Sequence, residues 1–298
     1  MADEKDVKQE KPKLKKREIL NLHKQLRNQF EFDRLKMYFG YDYTTKNGII
    51  IRQPTLGEII EVGEKKFYET LNVFVANPTS FRLPLWKMGI DWCKLTDFEL
   101  FCILYQNIDK DICKLFLPEC QIYDYKVYSE QIDEDTSDVV LYNPENESII
   151  RNIDYLEISQ YLRTMFNIFP KIEYAAGKAT RESIIWEDEQ NANKNKDEGY
   201  SSSLQPLVSS CLNHPGFKYK KSELKEVGIC EFMDSVNRLQ VYENTRALLS
   251  GSMSGFCDTS KVPKESFNFM RDLLSDDDSK KYSGKEKDAY NRLVGKEN

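Results

Sequence analysis

The groups in this chain that invite a chemical reading are two glycine segments, seven cysteines, two histidines, an acidic run and one basic-aromatic stripe. Gly57 and Gly63, followed by Glu64 and Lys65, have the outline of a phosphate loop. That loop needs four residues between its glycines, then Lys and Ser or Thr, because its N–H groups must curl around phosphate oxygens. Here five residues intervene and Glu64 stands at the lysine position. Gly251 and Gly255, with their serines, lack the strand-then-helix context of a dinucleotide loop. Cys93, Cys102, Cys113, Cys120, Cys211, Cys230 and Cys257 are odd in number and contain no C-x-x-C pair. With only His23 and His214 beside them, they offer no zinc set, and the expectation is reduced thiols in a cytosolic compartment. Neither histidine has a nucleophile near it in sequence, so His23 reads as a surface residue and His214, before Pro215-Gly216, as a turn residue. Asp133 to Asp138 is acidic without the spacing of an EF-hand loop and reads as a solvated hairpin tip. No cofactor, metal or catalytic residue is assigned, and the chain is expected not to be an enzyme.

Arg238, Tyr242 and Arg246 fall at i, i+4 and i+8. Arg and Tyr dominate many protein–protein contacts, so this stripe is the expected partner-binding surface, with internal salt bridges as the plainer alternative. It requires a helix, and residues 222–255 supply the clearest one in the chain. Ile229, Phe232, Met233, Val236 and Leu239 repeat at the 3.6-residue period of an amphipathic helix. They are expected to face the core. Ser222 is a candidate N-cap of a short first helix, with a bend at Val227-Gly228 and a long second helix ending before Gly251. This arrangement faintly suggests a helix-turn-helix nucleic-acid reader.

The remaining elements follow from local signals. Asn47-Gly48 before Ile49-Ile50-Ile51 predicts a β-hairpin within residues 40–52. Thr55 with Glu58, Thr96 with Glu99 and Asp154 with Glu157 have capping-box spacing at three helix starts. A short helix is expected from Asp109, and strands are expected at 122–128, 139–142 and 149–150. The fold class is therefore α+β, predominantly helical, with a small antiparallel β portion at about 40–52 and 120–152. The expected organisation is a disordered tail at 1–13, an α+β domain at 14–170 and a polar helical arm at 171–203. A helical C-terminal domain at 204–271 and a charged tail at 272–298 follow.

The 298 residues carry a net charge of −6, which argues against nucleic acid as a partner. No stretch approaches the roughly 20 apolar residues of a membrane span, and no secretory signal is read at the N-terminus. Homo-oligomerisation is left open.

Three blocks carry a family resemblance. They are IIRQPTLGEIIEVGEKKFYETL, LWKMGIDWCKLTDFELFCILY, and HPGFKYKKSELKEVGICEFMDSVNRLQVYENTRALLSGSMSGFCDTSKV. In this order they resemble tail assembly chaperone-like or tail-module proteins of tailed bacteriophages infecting Gram-positive bacteria. The resemblance implies a non-enzymatic helper in the host cytoplasm that binds the tape-measure or tail-tube protein. It brings no catalytic residue with it. A structural virion protein of the tail or head is the alternative.

Overall fold

The computed structural model describes residues 30–131, 137–175, 177–194, 200–254, 262–271 and 273. The expectations for residues 1–13, His23, most of the acidic loop, Cys257 and nearly all of 272–298 lie outside them. Ten α-helices and five strands are described, in the order α1 (Arg34–Tyr38), β1 (Tyr43–Thr44), β2 (Ile50–Ile51), α2 (Leu56–Val62), α3 (Glu64–Val75), α4 (Arg82–Lys87), α5 (Asp97–Leu104) and α6 (Lys110–Cys113). There follow β3 (Lys126–Gln131), β4 (Ser137–Asn143), β5 (Ser148–Ile150), α7 (Asn152–Phe166), α8 (Lys178–Lys194), α9 (Leu204–Asn213) and α10 (Ile229–Ser254). Strands β1 and β2 pair antiparallel around the Asn47-Gly48 turn, where Gly48 has a φ of 80°. Strands β3, β4 and β5 form an antiparallel sheet in that order. The fold is α+β and helix-dominated.

Capping chemistry sets several helix starts. Thr55 and Glu58 form a complete capping box at α2, as do Thr96 and Glu99 at α5, and Asp109 caps α6. At α7 the register differs from expectation. The cap is Arg151, whose N–H donates to Asp154, and Glu157 lies a turn further in, buried. Its carboxylate accepts from the Tyr43 hydroxyl at 2.5 Å and from the Lys46 N–H at 3.1 Å, so it anchors the first hairpin on α7. Gly63, at φ 92°, separates α2 from α3. Ile122, Tyr123 and Asp124, expected to begin a strand, form a 3₁₀ turn, and the strand starts at Lys126.

Helices α3 and α7 pack side by side at the centre. Between and around them lies an aromatic core: Phe67, Phe74, Phe98, Phe101, Phe116 and Tyr155 are all at most 2% exposed. Phe74 meets Phe116 edge-on at 5.3 Å, and Tyr155 stacks on Phe101 at 4.8 Å, geometries that aromatic quadrupoles favour. The Tyr155 hydroxyl donates to the Phe74 carbonyl, which satisfies its buried polar end. Arg163 is buried as well. Its guanidinium donates to the Val75 and Ala76 carbonyls at 2.8 Å and to Asp97 at 2.9 Å. One cation thereby fills the open carbonyls at the end of α3 and meets an acid in the first turn of α5, both matched to the helix dipoles.

The packing does not follow the expected division at 171–203. Leu204, Cys211, Leu224, Val227, Ile229 and Phe232 belong to the same buried cluster as Ile51, Leu56, Phe67 and Leu162. The expected polar arm is a helix, α8, exposed along most of its length, but it is docked rather than free. Ile185 enters a second apolar cluster with Ala76, Leu85, Trp92 and Leu100. Around it Arg82 pairs with Asp188 and Glu173, and Arg181 with Asp91. The large apolar residues of this helix, Ile184, Ile185 and Trp186, are adjacent in sequence and only Ile185 is buried, so they give almost no periodic signal of the docking.

Candidate partner-binding face

Helix α10 starts where the main chain of residues 53–57 closes against residues 225–230. Gly228 forms a β-bridge with Thr55. The Leu56 N–H donates to the Val227 carbonyl, and the Ile229 N–H to the Pro54 carbonyl. Gln53 completes the junction: its amide oxygen accepts from the Cys230 N–H at 2.8 Å and its amide nitrogen donates to the Met37 carbonyl at 2.8 Å. A side chain 177 positions upstream thus satisfies a first-turn donor that a helix cannot satisfy internally. Two glycines make the approach possible. A Cβ on Gly57 would lie 2.7 Å from the Lys225 carbonyl oxygen, and one on Gly228 would lie 2.3 Å from the Gln53 amide oxygen. The glycine that suggested a phosphate loop is therefore a packing residue.

The short helix expected before the bend is a three-residue 3₁₀ turn, Leu224–Glu226, with Leu224 and Val227 buried. The two helices of a helix-turn-helix are not formed there. Ser222 is exposed and precedes this turn rather than capping a helix. Helix α10 runs through Gly251 to Ser254, beyond the end the glycine predicted.

Of the expected core positions, Ile229 and Phe232 are fully buried, while Met233, Val236 and Leu239 are half-buried against the same cluster. The core side of α10 is thus formed by its first three turns. The 26 residues span about 39 Å, and apart from Val241 and Thr245 the distal part is largely exposed: Tyr242 is 51%, Leu249 40% and Met253 84% exposed.

The expected Arg238–Tyr242–Arg246 stripe is only partly open. The segment 262–271, which contains a 3₁₀ turn at Lys264–Phe267, lies along it. The Arg238 Nη1 donates to the carbonyls of Phe269 at 3.2 Å and Arg271 at 2.7 Å. Thr245 Oγ1 donates to the Ser266 carbonyl at 3.1 Å, and the Phe269 ring meets Tyr242 edge-on at 6.4 Å. Arg246 stays exposed beside this contact. Val241 and Thr245, which share the face at i+3 and i+7 from Arg238, are buried. Neither was singled out from the sequence, although the i, i+3, i+4, i+7 spacing from Arg238 was present, and so were the phenylalanines at 267 and 269 in a polar stretch.

A second feature gathers around the start of α3. Glu64 accepts from the N–H groups of Ser203 at 2.8 Å and Leu204 at 2.9 Å and from the hydroxyls of Ser202 and Ser203. It caps α9 from a distant helix. Burial alone would raise its pKa, but the four donors outweigh burial and lower it to about 2. A shallow cleft of about 330 Å³ adjoins it, lined by residues that include Tyr68, Asn72, Ile168 and Tyr200. Tyr68 is pushed up to about 12 by burial and then by Glu64, so it is a neutral phenol there.

His214 is a turn residue, as expected. Its Nδ1 accepts from the Gly216 N–H at 3.0 Å, and its Nε2 lies 3.3 Å from Glu243 on α10. Cys93, Cys113, Cys120, Cys211 and Cys230 carry thiols. Burial pushes Cys120 up to about 12 and Cys230 to about 11, and Cys113 is shifted in the same direction by burial and by the neighbouring Cys120. Thiols so shifted are protonated at neutral pH and make poor nucleophiles. Among the described residues no three His, Cys, Asp or Glu side chains are placed to hold a metal ion, and no helix is long and apolar enough to cross a membrane.

Comparison with protein-family models, with curated proteins and with solved structures yields no match to this chain.

Proposed function

We propose that this chain is a protein-binding assembly factor and that the distal part of α10 is its binding element. The observation that carries this reading is the face formed by Tyr242, Arg246, Leu249 and Met253. They fall at i, i+4, i+7 and i+11, and all four are exposed. A helix face that mixes aromatic, Arg, Leu and Met groups without covering them has the composition of a contact surface, where Tyr, Arg and Met are enriched. The partner class comes from the resemblance of the three sequence blocks to tail assembly chaperone-like proteins of tailed phages. The chain binds the tape-measure or tail-tube protein in the host cytoplasm during assembly and does no covalent chemistry.

The test is co-expression with each candidate partner and co-purification with wild-type chain and with an Arg246→Glu, Leu249→Ser variant. Both positions are exposed, so the variant should melt at the wild-type temperature and lose the partner. Retained binding by a folded variant would remove α10 from the interface. Mass spectrometry of purified particles separates an assembly helper, which is absent from them, from a structural virion protein.

A further inference from the structure

Resting on the reading of α10 as a protein-binding helix, we propose that its Arg238–Thr245 face is a site for a turn-forming peptide with an aromatic residue. Residues 262–271 would then occupy that site as an internal competitor. The contacts show what the face recognises. Arg238 takes the carbonyls of Phe269 and Arg271, and Thr245 takes the carbonyl of Ser266. Every chain has carbonyls, so these three bonds read a backbone path rather than a sequence. One side-chain contact adds selectivity, the edge of Phe269 against Tyr242. The ligand class is therefore a peptide whose carbonyls at positions 1, 4 and 6 lie on one side of a turn, with an aromatic residue at position 4.

The internal segment meets this description because it is folded on itself. The N–H groups of Ser266, Asn268 and Arg271 donate to the carbonyls of Pro263, Glu265 and Asn268, and the Met270 N–H donates to the Asn268 side chain. These turns hold the three acceptor carbonyls in place before contact, which lowers the ordering cost of binding. Burial holds the segment only weakly, since Phe269 is 51% and Met270 72% exposed. A segment tied to the same chain needs little intrinsic affinity, because its effective concentration is high. A partner turn that buried its aromatic ring more completely would displace it and take its place on Arg238 and Tyr242. The bound partner would then lie next to the exposed Arg246, Leu249 and Met253.

The experiment uses the full-length chain and a fluorescein-labelled peptide of residues 262–273, read by anisotropy. Phe269→Ala weakens the internal copy and leaves the site intact, so this variant should bind the peptide roughly five- to tenfold more tightly than wild type. Adding Arg238→Ala should abolish the gain. A peptide carrying Phe269→Ala should bind the same Phe269→Ala chain at least about fivefold more weakly, a comparison that leaves the protein unchanged and is independent of any folding defect. Equal affinity of wild type and the Phe269→Ala chain, or binding insensitive to both the peptide change and Arg238, would overturn the proposal. No phage protein is present, so this outcome is separate from success or failure in partner capture.

Discussion

Removing the charge of Glu64 should make stability lose part of its dependence on acid. The carboxylate sits at the start of α3 and takes four donors from residues 202–204. Its pKa is lowered from 4.5 to about 2, so its contribution is fully present above about pH 4.5 and is lost as pH falls toward 2. At 1.36 kcal/mol per pH unit the difference is at most about 3 kcal/mol. The group is partly exposed, and solvent screening reduces this to roughly 1–2 kcal/mol, the range of a helix-cap deletion. Glu64→Gln keeps the shape and removes the charge. Urea unfolding of wild type and variant at a series of pH values should show a gap of about 1–2 kcal/mol at pH 6–7. The gap should narrow as pH falls below 4.5 and approach zero only below about pH 2. Amide exchange at Leu204 and Gln205 should speed up in the variant, because α9 loses its cap. A gap that is absent at neutral pH, or constant across the series, would refute the assignment of the charge to α9.

Three further outcomes are expected. Gly228→Ala should cost about 1–3 kcal/mol, because the new Cβ displaces a Gln53 amide that holds bonds at both ends; in a Gln53→Ala background the same change should cost measurably less in a double-mutant cycle. Arg163→Met should cost about 3–5 kcal/mol in chemical denaturation, since it leaves two carbonyls and Asp97 without the buried cation, and a loss under 1 kcal/mol would show that water replaces it. Under native conditions at pH 8, Cys113, Cys120 and Cys230 should resist a thiol reagent that modifies all seven cysteines after denaturation, with peptide mapping to identify the sites.

The parts of the fold legible in the sequence were those set by neighbours in the chain. Thr55–Glu58, Thr96–Glu99, Asp109 and Asn47-Gly48 act within a few residues, and each sits where its spacing placed it. The period of Ile229 and Phe232 identified the buried side of α10 for the same reason. What stayed hidden were contacts between distant positions. Nothing near Gln53 indicates that it caps a helix starting at Ile229, and nothing near Glu64 indicates that it caps α9. Glu157 had the spacing of a capping residue, yet its partners come from the first hairpin, more than a hundred positions away. The stripe at Arg238 and Tyr242 was visible, but the segment that packs beside them was hidden by its charged surroundings.

The closure of residues 53–57 on residues 225–230 has a consequence for how the chain is made. At a synthesis rate of 5–20 residues per second, the 177 positions between Gln53 and Cys230 take roughly 9–35 s to emerge. Throughout that interval Ile51, Leu56 and Phe67 have no Ile229 or Phe232 to pack against, although α2 and α3 form on far shorter timescales. The nascent chain therefore carries an open apolar surface for most of its synthesis. Among the described helices the last to arrive is α10, whose start closes the core while its far end is exposed. Any truncation upstream of Phe232 should yield a chain that keeps much of its helix and aggregates, rather than a smaller working protein.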